Sequence, residues 1–254
     1  MKKSKGTILK IILGLVLLFL YLPIVYTIVF SFNSSKSLSV FKGFSLKWYE
    51  KMFNSGEIMD AIFYTIIVAV LTTVISTVVG TITAIGMSKS KKVIRKSIEQ
   101  INDFPIMNPE IVTAIGLLMF FSAVAIRKGF VTMLLAHIMF CIPYVILSIM
   151  PKLRSLDPNL IDAALDLGAT PIQALTKVVV PQITSGIVAG ALIAFTMSFD
   201  DFVISYFVTG NGVNNISIMV YTMSKRVNPT INAISTLIIV ILSLIHISEP
   251  TRRS

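Results

Sequence analysis

Charge is scarce in this 254-residue chain: 13% of residues are Asp, Glu, Lys or Arg, about half the share of an ordinary soluble domain. With 55% hydrophobic residues, that scarcity excludes a disordered chain and argues against a water-soluble globule. A single cysteine, Cys141, excludes an internal disulfide framework and a zinc cage of several thiolates. His137 lies four residues before Cys141, but two lone ligands make no metal site, and the pair reads as packing. The chain also lacks G-x-x-x-x-G-K-[ST], H-E-x-x-H and a nucleophile elbow. No phosphate cradle and no catalytic constellation follow from the sequence, so it reads as something other than an enzyme, with no cofactor of its own.

What is present is a series of charge-free runs: Ile11 to Ser35, Ala61 to Ser88, Gly129 to Pro151, Val178 to Phe199 and Val227 to Ser248. A further run, Pro105 to Ile126, is broken only by Glu110. A helix needs ~20 residues to cross a hydrocarbon core, and lipid offers no partner to an unpaired backbone group. These runs predict six helical spans, at about 11–32, 61–87, 105–126, 129–150, 183–208 and 230–247, in one all-α membrane domain over 11–248. Residues 1–10 form a basic amino-terminal segment and 249–254 a tail. The basic start followed by an apolar run also has the outline of a signal peptide, but the run is too long and lacks a small-residue cleavage site. The segment from about Leu244 resembles translated adapter sequence, so His246 and Glu249 carry no functional argument.

The net charge of +10 is then a matter of topology. Of 22 Lys and Arg, fourteen fall in the amino-terminal segment, the second-to-third loop, the fourth-to-fifth loop and the tail; eight fall in the alternate loops. The basic side of a membrane protein is the cytoplasmic one, which puts both termini inside and makes nucleic-acid binding an unneeded explanation. On the other side, Phe44, Trp48, Met52 and Phe53 recur at near-helical spacing within Ser37 to Asp60. That pattern predicts a helix in the lipid interface with Trp48 and Tyr49 at headgroup level.

The fourth-to-fifth loop, 152–182, carries the clearest local design. Asp157-Pro158 offers a helix start, and Leu160, Ala164 and Leu167 share a face, with Asp162 and Asp166 on another. Gly168 supplies a stop, and Thr170-Pro171 with Gln173 supplies a second start with a capping box. Two short helices meeting at a bend have the shape of an element that inserts into a groove on another protein; a helix lying on the membrane surface is the alternative.

The run DAALDLGATPIQALTKVVVP, Asp162 to Pro181, resembles the EAA loop of the permease subunits of ABC importers. Ala163, Ala164, Gly168, Val178, Val180 and Pro181 match that pattern, and Asp162 stands where glutamate is usual. The resemblance implies a type I importer permease in a bacterial cytoplasmic membrane, with Asp162, Ala163, Ala164, Gly168, Ala169 and Pro181 in a coupling helix. It implies a second permease, two ABC ATPase subunits that bind ATP and Mg, and an extracytoplasmic substrate-binding protein as partners. ATP binding on the ATPases would then drive alternating access in the spans.

Acidic residues in a span cost ~2.5 to 3.5 kcal/mol each on insertion scales and so mark a wet path or a partner. Asp200, Asp201 and Glu110 are the candidates, with Asp200 and Asp201 in the outer half of the fifth span and Glu110 near the inner end of the third. Neighbouring helical positions point ~100° apart, so one aspartate can face the path while the other caps a kink or meets a neighbouring helix. Carboxylates along a path favour a cationic cargo, whereas anion importers call for Arg, Lys or helix amino termini. SFDDFVISYFVTG, Ser198 to Gly210, and LKWYEKMF, Leu46 to Phe53, resemble the second permease of spermidine/putrescine importers. The interleaved Phe199, Phe202, Tyr206 and Phe207 suit a polyamine by cation-π and methylene contact. Permeases for other small solutes share the EAA loop, and an autonomous ion-coupled carrier or channel would also place acids in its spans.

Overall fold

A computed structural model describes residues 2–210, 212–225 and 228–247, with side chains for 9–210, 212–225 and 228–244. Arg226, Glu249, the tail from 248 and the His246 side chain lie outside the described residues. Twelve α-helices run in chain order among them. They are α1 (Lys2–Ser31), α2 (Lys47–Phe53), α3 (Gly56–Lys89), α4 (Lys92–Met107), α5 (Glu110–Ala123) and α6 (Phe130–Arg154). Then come α7 (Leu160–Asp166), α8 (Pro171–Gln173), α9 (Val180–Phe199), α10 (Val203–Val208), α11 (Ile216–Ser224) and α12 (Thr230–Ile247). The all-α expectation holds: among the described residues no strand forms, and the β-type pairing is one isolated bridge between Asn33 and Phe44.

Four described helices are long and apolar enough to cross a membrane: Leu9–Ser31, Gly56–Lys89, Phe130–Arg154 and the continuous run Pro171–Phe199. The pair α4 and α5 makes a fifth if counted as one span, bent by 108°. The apolar part of α12, Thr230–Leu244, is shorter. The bounds depart from expectation at three places: the helical run expected from 183 already begins at Pro171, inside the expected 152–182 loop, and two others have local causes. Pro105 lies inside α4, and the break comes at Asn108-Pro109, where proline pushes the preceding residue into extended backbone, ψ 147° at Asn108. The run that ends at Phe199 resumes as a separate helix only at Val203, so the expected 183–208 segment is two helices around Asp200-Asp201-Phe202.

The contacts divide the chain into two units, Met1–Met59 with Met219–Ser254, and Asp60–Ile218, whose boundaries fall within α3 and α11. In the first, α12 packs against α1 and α2. The loop after α1 is held by Asn33, fully buried and satisfied on every side-chain site. Its amide donates to the carbonyls of Ser37 and Val40, and its oxygen accepts from the N–H groups of Ser35 and Lys42. Trp48 is turned inward, 4% exposed, with its indole N–H donating to the Asn33 carbonyl at 2.7 Å. The expected headgroup-level tryptophan is thus a core residue, because its one polar atom finds a carbonyl in the loop it covers. Phe44 and Phe53 are the exposed members of that pattern.

The second unit is built on α6 and α9, the most extensively packed pair. Close approach there depends on small residues. A methyl group on Gly190 would sit 3.2 Å from the Val145 Cα, and one on Gly186 would sit 3.1 Å from the Ser148 carbonyl oxygen. From the opposite side, Gly80 of α3 faces the same Val145, whose Cγ1 lies 2.7 Å from where a Cβ would be. The G-x-x-x-G spacing of Gly186 and Gly190, in the run from Val178 to Phe199, therefore serves packing within this chain.

Candidate functional site: a helix break and an exposed loop

Asp200 and Asp201 occupy the break between α9 and α10, and their surroundings differ. Asp201 is 5% exposed. Its Oδ1 accepts from the Ile204 N–H at 3.2 Å, and its Oδ2 accepts from the Ser205 N–H at 2.8 Å and the Ser205 hydroxyl at 2.7 Å. These are the bonds of a capping carboxylate, meeting amide groups that the first turn of α10 cannot satisfy itself. His137 of α6 approaches from the side, its Nε2 3.2 Å from Asp201 Oδ2. Asn215 closes the break from beyond, donating to the Asp201 carbonyl at 2.7 Å and the Ser205 hydroxyl at 2.8 Å.

Asp200 is exposed, and its backbone N–H donates to the Thr196 carbonyl at 3.2 Å as the last bond of α9. Glu110, at the start of α5, is also exposed, and its carboxyl approaches those of Asp201 and Asp200 closely enough to interact with both. The fold therefore gathers three acids that the sequence separates by 90 residues, because α5 packs against α10. The expectation of Glu110 near the inner end of one span and the aspartates in the outer half of another keeps apart groups that the structure brings together; α5, with 14 residues or about 21 Å, is too short to cross a ~30 Å core alone. Like charges at such proximity repel, and a cation between them relieves that repulsion. Among the nearby rings, Phe202 stacks obliquely with Tyr206 at 5.4 Å, and Tyr206 meets Phe207 edge-on at 5.8 Å. Phe199 is buried and turns instead to Phe195.

His137, Ser198, Ser205 and Asn215 were not singled out as a site by sequence reasoning. The signal was available: a histidine inside a long apolar run must find polar partners or be costly. Ser198 and Ser205 flank Asp201 at helical spacing. Among the described residues, no group of three His, Cys, Asp or Glu can hold a metal ion.

The second region is the loop after α6. Asp157 opens it by accepting the Asn159 N–H at 2.9 Å, and α7 begins three residues after Asp157, at Leu160. Gly168 has φ +86°, the left-handed backbone that favours glycine. Around it the Gly168 N–H donates to the Leu165 carbonyl and the Ala169 N–H to the Ala164 carbonyl, which is the paired closure of a Schellman motif. Thr170 then starts α8 with a reciprocal capping box: the Gln173 N–H donates to Thr170 Oγ1 at 3.3 Å and the Thr170 N–H to Gln173 Oε1 at 3.0 Å. The chain runs on from α8 without interruption through a π-helical turn, Ala174–Val179, into α9. Pro181 accounts for that turn. It lacks an N–H and its ring crowds the carbonyl four residues back, so the chain before it winds more widely.

Asp162, Ala163 and Gly168 are exposed, Ala169 is half-buried, and Ala164 packs inward. Pro181 stands exposed in the first turn of α9. The corner also lifts large apolar side chains into the open. Leu167 is 89% exposed and Ile172 73%, on either side of the glycine. Leu167 was expected on the face of Leu160 and Ala164, but as the residue just before Gly168 it leaves the helix and points outward.

Residues 76–249 match the family described as "Binding-protein-dependent transport system inner membrane component". The chain belongs to this family. It is a bacterial membrane-embedded permease, a transport component rather than an enzyme. Over 91% of both chains, the permease is 35% identical to the spermidine/putrescine transport system permease protein PotC of Haemophilus influenzae. It is 35% identical to the putrescine transport system permease protein PotI of Escherichia coli K12, covering 93% of this chain and 86% of that one. Among solved structures, a chain of a bacterial ABC transporter that imports the acidic polysaccharide alginate superposes with TM-score 0.82 over 99% of the permease and 97% of that chain. A chain of the MetNI methionine ABC transporter gives TM-score 0.63 over 77% and 95%. At 16% and 18% identity these two speak for the fold.

Proposed function

We propose that this permease carries polyamines, spermidine or putrescine, into the cell by alternating access, driven by ATPase subunits seated on the loop between α6 and α9. The observation that supports the cargo is the approach of exposed Glu110 and Asp200 near Phe202 and Tyr206, with the buried Asp201 adding its negative charge from behind. Carboxylates replace the water shell that an ammonium group loses, and rings receive the ammonium face and methylenes. The names of the 35%-identical relatives point to the same cargo.

Coupling is assigned to Asp162, Ala163, Ala164, Gly168, Ala169 and Pro181. The loop supports this by its construction: a Schellman closure and a capping box fix the corner, and Leu167 and Ile172 project from it with nothing among the described residues to cover them. The run of helix from Pro171 to Phe199 joins that corner to the acidic break without a flexible joint. A push at the corner thus reaches Asp200 through one helix, which is the rigid lever that switching requires. The charge asymmetry of the loops supports a cytoplasmic side for this corner and both termini. Six spans follow if α4 with α5 counts as one and α12 as another. The assembly is completed by a second permease, two ABC ATPase subunits carrying ATP and Mg, and an extracytoplasmic substrate-binding protein.

The test is uptake of labelled putrescine and spermidine into proteoliposomes holding the assembled transporter with ATP inside. Uptake that requires ATP and falls with Asp200→Asn is expected. Uptake by this chain alone without ATP would replace the reading with an ion-coupled carrier, and ATP-driven uptake of an anion in preference to polyamines would remove the cargo assignment.

A further inference from the structure

The polar knot at the α9–α10 break can be resolved to the proton. Ser205 Oγ lies 2.7 Å from Asp201 Oδ2, and an ionised carboxylate only accepts, so the hydroxyl hydrogen points there. Two further groups face the same hydroxyl oxygen, Asn215 Nδ2 at 2.8 Å and His137 Nε2 at 2.8 Å. The Asn215 amide is oriented by its other bonds, since its nitrogen also donates to the Asp201 carbonyl and its oxygen accepts from the Ile218 N–H at 2.9 Å. The hydroxyl's remaining lone pair therefore needs a hydrogen on His137 Nε2. On the far side of the ring, Nδ1 faces Ser198 Oγ at 2.7 Å. His137 is 2% exposed and thus joins α6 to the end of α9 and the start of α10 in a network with no polar atom left over.

The consequence lies one residue away. A break in a helix can close in more than one geometry, and each would aim Asp200 differently. Here the bonds to Asp201 and Ser205 select one. We infer that His137 is a positioning residue: its Nε2–H holds Ser205 and Asp201 turned into the protein, which sets the α9–α10 break and leaves Asp200 as the carboxylate presented to a cationic cargo. The two adjacent aspartates thereby have different duties, Asp201 as an internal anchor and Asp200 as a contact. This inference rests on the cation path proposed above for its functional half, and on hydrogen-bond geometry alone for its structural half.

The chain has two histidines, so His246→Gln leaves a single imidazole. The first experiment places the full chain with that change, labelled with 15N-histidine, in lipid bilayers and reads the ring by solid-state NMR. A hydrogen on Nε2 is expected, with a ring signal that moves on Ser205→Ala; a bare Nε2 with the hydrogen on Nδ1 overturns the assignment. The second uses the assembled transporter and labelled putrescine. His137→Ala is expected to raise KM about tenfold, His137→Gln to keep most of the wild-type KM because its amide N–H reaches the same place, and His137→Ala added to Asp200→Asn to raise KM little further. A fall in assembled protein or in Vmax with KM unchanged, or KM effects that multiply, would make His137 a core filler and overturn the positioning role. Absence of putrescine uptake by the wild-type assembly would defeat the cargo reading, while the NMR result would still decide the knot.

Discussion

The helix break at Asp200-Asp201 and the corner at Gly168 are both interruptions near one continuous helical run, and they resolve their loose ends in opposite ways. At the break, buried polar groups are satisfied inside the chain: Asp201 has its donors, and His137, Ser205 and Asn215 use theirs. At the corner, the backbone is satisfied but the large side chains are not, with Leu167 and Ile172 left in the open. On the proposed function, the break is completed within the fold and the corner is the part a partner would complete. The contrast separates Asp201 from Asp200 as well, neighbours in sequence with opposite exposure.

The largest effect should come from the corner. Gly168→Val is expected to abolish coupled transport and stimulated ATP hydrolysis while leaving membrane insertion intact. Nothing lies within 4 Å of a Cβ added there, so the penalty is backbone strain of roughly 1–2 kcal/mol rather than crowding. Gly168→Asn, which tolerates the same backbone, should retain much of the activity, and ATPase assays on the two variants check the cause as well as the effect. At the break, Asp201→Ala strands buried donors and should cost on the order of 3 kcal/mol, seen as loss of folded transporter on denaturation. Asp200→Asn should leave that stability within about 0.5 kcal/mol and act on uptake alone. Equal behaviour of the two would erase the distinction drawn between them.

Smaller changes sharpen the corner. Leu167→Ser with Ile172→Ser should weaken ATPase binding, measured by co-purification, without altering the stability of the isolated permease. Thr170→Ala removes one half of the capping box and should cost about 1 kcal/mol locally, visible as faster amide exchange over 170–173.

Much of this was legible in the amino acids. Four of the five charge-free runs became span-length helices, since each exceeds what a soluble core helix requires, while the run from Val227 became the shorter apolar helix Thr230–Leu244. The corner could be read nearly residue by residue, because capping and left-handed turns are local: Gly168, Thr170 and Gln173 act on backbone within four positions of themselves. The gathering of Glu110 with Asp200 was not legible, because it depends on α5 being shortened at Asn108-Pro109 and packed against α10. Trp48 misled for a related reason: an interfacial position and a buried one look alike in sequence until the carbonyl of Asn33 is placed beside the indole. His137 reads as packing from its apolar neighbours, and its bonds reach Ser198 and Ser205, more than 60 residues away. The family resemblance carried by 162–181 concerned the loop, and it left the break to the structure.

The most direct measurement is cysteine cross-linking between position 167 of the permease and its ATPase in the assembled, ATP-cycling transporter, read together with putrescine uptake. The account predicts efficient cross-linking that arrests both hydrolysis and uptake, and recovery of both on reduction. Efficient transport from an assembly in which position 167 reacts only with an extracellular, membrane-impermeant thiol reagent would contradict it.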